Sequence, residues 1–253
     1  MALYIKSDVE VAGMRIAGRI VAGVLKRVAE VVVPGITLKE LEAVCIDYIR
    51  SAGGVPTFLG YRGFPAGVCI SVNDEVVHGI PDSRVLNDGD IVKVDVGVTK
   101  DGLIADGART FFVGRVEPAV AQLVRVTEAA FYEGLKFCRA GFRVGDISAA
   151  IQRYVEAQGY SVVRELHGHG VGVELHEEPT IPNFGKPGSG RKLEKNMTLA
   201  IEPMVNMGGP AVRTLKNGWT VVTADGKPSA HYENTVLVTD DEPEILTGVV
   251  EPV

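Results

Sequence analysis

A chain of 253 residues with 46% hydrophobic and 23% charged content can bury a sizeable core and has the balance of an ordinary globular protein. Its formal charge of -6 argues against affinity for nucleic acid through a basic surface, so no nucleic acid is expected as the main ligand. The opening MALYIKSDVE reaches a lysine at position 6 without an apolar run, and Lys26 and Arg27 break the apolar stretch that follows. Neither a signal peptide nor a membrane span is expected there, and a cytoplasmic protein is expected.

Ser7 and Glu10 make a capping box, after which Met14, Ala17, Val21, Val24, Leu25 and Val28 recur at helical spacing until Pro34-Gly35. A second helix is expected from Thr37, with Glu40 as its capping partner and Leu38, Leu41, Cys45, Tyr48 and Ile49 on one face, ending at Gly53-Gly54. From about 67 to 113 the chain is rich in valine and isoleucine, with NDE and KDG as punctuation, which predicts antiparallel hairpins. Helical spacing returns over about 118–139 and 146–158, and strands and turns fill the rest. Cys45, Cys69 and Cys138 stand far apart and outside any metal-binding spacing, so reduced, buried thiols are expected.

The order helices, strands, helices, strands conceals a repeat. GITLKELEAVCIDYIRSAGG from Gly35 lies over GFRVGDISAAIQRYVEAQGY from Gly141, so that Gly35/Gly141, Ala43/Ala149, Tyr48/Tyr154 and Gly53/Gly159 coincide at a single offset. One residue more aligns LNDGDIVKVDVG with LEKNMTLAIEPM, setting Asp95 against Glu202, each in an otherwise apolar strand. HGIP and HEEP likewise set His78 against His176.

An ionised carboxylate among buried apolar residues costs several kcal/mol unless a cation or strong donors meet it. The turn near Lys100 to Gly102 makes Asp95 and Asp106 cross-strand neighbours, directly opposite or one diagonal step apart. Glu202 and Glu233 repeat the device with a longer connection. If the halves face each other, four carboxylates converge, and two divalent cations would neutralise them. With His169 the set is oxygen-rich with one nitrogen and no thiolate, which suits manganese, iron(II), cobalt or zinc in a hydrolytic pair.

Taken in order, NDEVVHGIP, VDVG, ADGART, GHGVG, HEEP, IEPM and HYENT resemble the type I methionine aminopeptidases, and the resemblance covers nearly the whole chain. It implies the pita-bread fold of the α/β (α+β) class, in which two pseudo-twofold-related halves, each an antiparallel sheet covered by helices, enclose a dinuclear metal site. The chain is then one catalytic domain over residues 1–253, with halves of roughly 7–113 and 118–240.

Carried over by position, the resemblance makes Asp95, Asp106, His169, Glu202 and Glu233 the metal ligands, with Asp106 and Glu233 bridging. His169 and Glu202 complete one cation's shell and Asp95 the other's. The reaction implied is removal of the initiator methionine from nascent proteins when the next residue is small. The expected mechanism is attack by a metal-bridging hydroxide, with Glu202 moving the proton, His176 stabilising the oxyanion and His78 holding the scissile amide. The glycines around His169 are expected to let the backbone pass close to metal and substrate, and His167 is expected at the surface or behind the ligands.

A methionine pocket is implied from Phe58, Tyr61, Phe64, Cys69 and Trp219, with Phe58, Phe64 and Leu175 standing where some relatives carry cysteine, tyrosine and phenylalanine. The alternatives are an Xaa-Pro peptidase of the same fold, whose members usually carry an extra N-terminal domain, and a non-enzymatic relative that binds nascent chains. Such a relative loses ligands, whereas all five are present here. The expected partners are the N-terminal peptides of nascent proteins and the ribosome, met by the catalytic domain of a monomer, with no membrane involved.

Overall fold

The first helix begins where its capping box places it. In this computed structural model, which describes residues 3–248, α1 spans Asp8–Val31. Glu10 N donates to Ser7 Oγ at 3.3 Å, and Ser7 N donates to the Glu10 carboxylate at 2.7 Å. Thr37 and Glu40 repeat the pattern at the start of α2, Leu38–Ser51. Leu38, Leu41, Cys45 and Ile49 of α2 are fully buried, as their spacing requires. Tyr48 departs from the expected face: it is 36% exposed, with its hydroxyl filling the space a side chain at Gly23 of α1 would need.

The second pair, α3 (Pro118–Leu135) and α4 (Val144–Ala157), packs together as α1 and α2 do. α3 stops before Lys136, short of the expected end. Phe137 N and Cys138 N turn back to the carbonyls of Gly134 and Leu135, and both side chains still face the core, so apolar spacing outlasts the helix. α4 starts slightly sooner than expected, with Arg143 N held by the Asp146 carboxylate at 2.8 Å.

In the first sheet the long hairpin of Ile91–Lys100 and Leu103–Phe112 is paired along its whole length. Cys69–Val72 and then Val55–Pro56 pair with the free edge of Ile91–Lys100. The second sheet has five antiparallel strands in the order Glu244–Ile245, Asn234–Leu237, Thr198–Ile201, His167–Gly170, Glu177–Pro182. One apolar core lies between α1, α2 and the first sheet, and a second between α3, α4 and the second sheet. Among the described residues no helix is long and apolar enough to cross a membrane.

The repeat is visible in hydrogen bonds as well as in residue types. Gly35 N donates to Leu86 O and Leu86 N to Ile36 O, while Gly141 N donates to Leu193 O and Leu193 N to Phe142 O. Gly35 and Gly141 share a φ near the same left-handed value (99° and 96°), where a side chain would be strained. The two sheets meet along a short antiparallel seam. Ala108 and Glu233 exchange both backbone hydrogen bonds (3.3 and 2.9 Å), and Thr235 Oγ1 donates to Asp106 O while accepting from Asp106 N. That seam joins the centres of the two halves and places their acidic residues side by side.

Candidate metal centre

The register of the long hairpin decides the relation of the first two acids. Its loop is only Asp101-Gly102, both at positive φ (51° and 80°), the backbone of a two-residue hairpin turn. Asp106 therefore pairs with Gly97, and Asp95 with Ala108, which sets the two aspartates one diagonal step apart on one face. In the second sheet Asn234 pairs with Ile201, so Glu202 and Glu233 stand just beyond that pair, beside each other.

All four carboxylates and His169 line one cleft together with His78, His176, Phe58, Tyr61, Phe64, Cys69, Leu175 and Trp219. Every residue singled out in the sequence for ligation, catalysis or substrate binding is in that lining. Candidate donor atoms of Asp106, His169 and Glu233 lie within 4.8 Å of one another, as do those of Asp95, His231 and Glu233. Two donor groups thus share Glu233. His231 is the residue that sequence reasoning passed over, although its place two positions before Glu233 gave the signal, because alternate residues of an extended chain share a face.

The electrostatics call for cations. Among the described residues no lysine or arginine pairs with any of the four acids, and Oδ1 of Asp95 and of Asp106 has no hydrogen-bond partner. Burial, reinforced by the Glu202 charge, pushes Asp95 up to about 7. Burial alone pushes Glu202 up to about 8. Asp106 and Glu233 are driven well above the usual carboxylate range by burial and by the neighbouring acids. Like charges this close cannot all ionise unless positive charge lies between them, and an oxygen-rich set with imidazole suits divalent ions.

The histidines are prepared as neutral bases. Burial lowers His169 to about 3, and its Nδ1 lies 2.9 Å from Gly170 O, which leaves the Nε2 lone pair for a ligand, 3.5 Å from Glu202 Oε1. Burial also lowers His176 to about 4, and its Nδ1 is 2.9 Å from the Tyr61 hydroxyl. His78, also in the cleft lining, is lowered to about 4 by burial and sits at φ 58°, a strained backbone for a non-glycine residue. His167 is exposed and stays outside the metal-binding groups, lining a neighbouring hollow with Arg62 and Glu165.

A side chain at Gly168 would strike Ala200 O at 2.3 Å, and one at Gly170 would strike Glu178 O at 2.3 Å. These glycines let neighbouring strands close around His169. The cysteine expectation fits: all three thiols are free and buried, and burial pushes Cys45 up to about 12.

A pH test separates the loaded centre from the empty one. In chelated protein the four acids have folded pKa values above their unfolded values near 4, so the folded state holds extra protons and stability falls as pH rises towards about 8. The buried neutral histidines pull the opposite way, but only below about 6.5. Thermal unfolding of chelated protein is therefore expected to show a falling midpoint between about pH 6.5 and pH 8, and added manganese to abolish the fall. Equal slopes with and without metal would contradict the electrostatic reading.

Fold and donor set together describe a metal-dependent peptidase, and a model of metallopeptidase family M24 matches residues 12–240. The chain is 51% identical over 245 residues to the methionine aminopeptidase of Clostridium perfringens, covering 97% of this chain and 98% of that one. It is 48% identical to methionine aminopeptidase 1 of Bacillus subtilis, covering 96% and 98%. The crystal structure of methionine aminopeptidase from Thermotoga maritima superposes with a TM-score of 0.95 at 46% identity, covering 97% of this chain and 99% of that one. The chain belongs to metallopeptidase family M24 and, within it, to the methionine aminopeptidases. It is a metal-dependent hydrolase of the pita-bread fold that uses divalent metal.

Proposed function

We propose that this enzyme removes the initiator methionine from nascent proteins whose second residue is small, with two divalent ions held by Asp95, Asp106, His169, Glu202 and Glu233. The observation that carries the reading is the meeting, in one cleft, of four carboxylates that no lysine or arginine pairs among the described residues, Asp106 and Glu233 buried, with an apolar, aromatic pocket. Manganese, iron(II), cobalt and zinc all suit the donor set. When bound, the ions polarise the scissile carbonyl and supply a nucleophile from water at neutral pH.

The protein's own groups do the rest. Phe58, Tyr61, Phe64, Cys69 and Trp219 surround the flexible thioether side chain, with Phe64 and Trp219 edge to face at 5.1 Å. Leu175 completes the apolar wall. Glu202 moves the proton towards the departing amine, a role suited to a carboxyl that burial already pushes up to about 8. His176, oriented by Tyr61, donates to the developing oxyanion, and His78 holds the scissile amide. We place the enzyme in the cytoplasm as a monomer, meeting its substrates at the ribosome.

Metal-loaded protein offered Met-Ala-Ser and an Xaa-Pro dipeptide decides between the candidates. Release of methionine from the first and nothing from the second is expected. Cleavage of the Xaa-Pro peptide alone would move the enzyme to the proline-directed group, and no cleavage of either would leave a binding protein.

A further inference from the structure

The buried imidazole of His231 has no part in the mechanism above. The residue closes the strand Ser229–His231 and is 1% exposed. Its backbone is pinned across the seam by Thr110, whose hydroxyl accepts from His231 N at 3.0 Å and donates to His231 O at 2.8 Å. The ring's Nε2 lies 3.5 Å from Glu202 Oε2 and 3.8 Å from Glu233 Oε2, and neither ring nitrogen has a hydrogen-bond partner among the described residues. Burying a polar ring with both nitrogens unused is costly unless the working site engages it.

Glu202 therefore stands between two imidazoles, with His169 Nε2 at 3.5 Å from Oε1 and His231 Nε2 at 3.5 Å from Oε2. The distances match, but the rings are held differently. A ligating histidine is normally oriented by a bond from its other nitrogen. His169 has that bond to Gly170 O, whereas Nδ1 of His231 has none. His169 is thus built as a ligand, and His231 is not.

We infer that His231 is a positioning residue, whose Nε2–H donates to Oε2 of Glu202 and so fixes which carboxylate oxygen faces the cation and His169. The inference rests on the role given to Glu202 above. A carboxylate that both holds an ion and moves a proton works best when its two oxygens cannot exchange places, and a donor on one of them prevents the exchange. The 3.5 Å separation is longer than a formed hydrogen bond, and such catalytic bonds commonly tighten only in the working complex.

His231→Leu removes the donor, His231→Gln keeps an N–H of similar reach without the imidazole, and His231→Asn carries an amide too short to reach. Each is assayed for kcat and KM on Met-Ala-Ser, and chelated protein is titrated with manganese by calorimetry. His231→Leu is expected to lose about 10- to 100-fold in kcat with KM nearly unchanged, and His231→Gln to recover most of the loss. Both are expected to bind manganese as the wild type does. Should His231→Leu fail to fold, the contrast between the Gln and Asn variants carries the same test. Loss of one equivalent of manganese in every variant would make His231 a ligand and overturn the inference, as would wild-type kcat without the donor. If wild-type protein releases no methionine at all, the functional reading fails separately, and a manganese-loaded crystal structure judges His231. Nε2 within about 3.2 Å of Glu202 Oε2 supports the inference, and Nε2 at about 2.1 Å from an ion overturns it.

Discussion

Glu202→Gln is expected to yield a folded protein that hydrolyses Met-Gly-Met about 10²- to 10⁴-fold more slowly than wild type, the range a general acid–base group supplies. The substitution conserves size, so the pocket walls and His169 stay in place. It removes the group that can take up and release a proton, and it removes one of the negative charges facing the cations. Kinetics measured at saturating manganese isolate the proton-transfer loss from weakened ion binding, because excess metal restores occupancy but not basicity. Near wild-type hydrolysis by the variant would rule out the role of Glu202.

The second large effect lies outside the cleft wall. Lys6 and Glu177 form an ion pair in which each side chain is 1% exposed. The other Glu177 oxygen accepts from Val173 N at 2.7 Å and Glu174 N at 3.0 Å, closing the turn that leads to His176. Lys6→Met leaves a buried carboxylate without its cation, which costs about 3–5 kcal/mol. For a chain of this size that is a fall in melting temperature on the order of 10 °C. Adding Glu177→Gln to Lys6→Met should restore part of the loss, because the uncompensated charge disappears. Activity should fall in the single variant as His176 loses its anchored turn. A Lys6→Met protein with unchanged melting temperature would show that the pair contributes nothing.

The sequence revealed most of this site through local rules. Capping boxes at Ser7 and Thr37 mark helix starts because the signal is a residue pair three positions apart. Asp95 and Glu202 stand out because a carboxylate inside an apolar strand, or at its very end as Glu202 is, demands a partner, and the repeat supplies that partner from the other half. What escaped depends on contacts distant in sequence. Lys6 and Glu177 are far apart in the chain, and nothing near either one announces the other. The Asp95–Asp106 step hung on a single residue of hairpin register, settled only by the Asp101-Gly102 loop. His231 shares a face with Glu233, but its meaning comes from Glu202 lying across the seam. Gly168 and Gly170 announce a close approach, but sequence does not show that Ala200 O and Glu178 O are the atoms that approach.

The electrostatic claim beneath the whole account is that acids from both halves tolerate one another because two cations lie among them. Anomalous scattering from crystals grown with excess manganese measures this directly. The account predicts two peaks about 3.5–4 Å apart, with Asp106 and Glu233 touching both ions, Asp95 touching one, and His169 with Glu202 touching the other. Density without ions, or side chains turned away from a common centre, would contradict it.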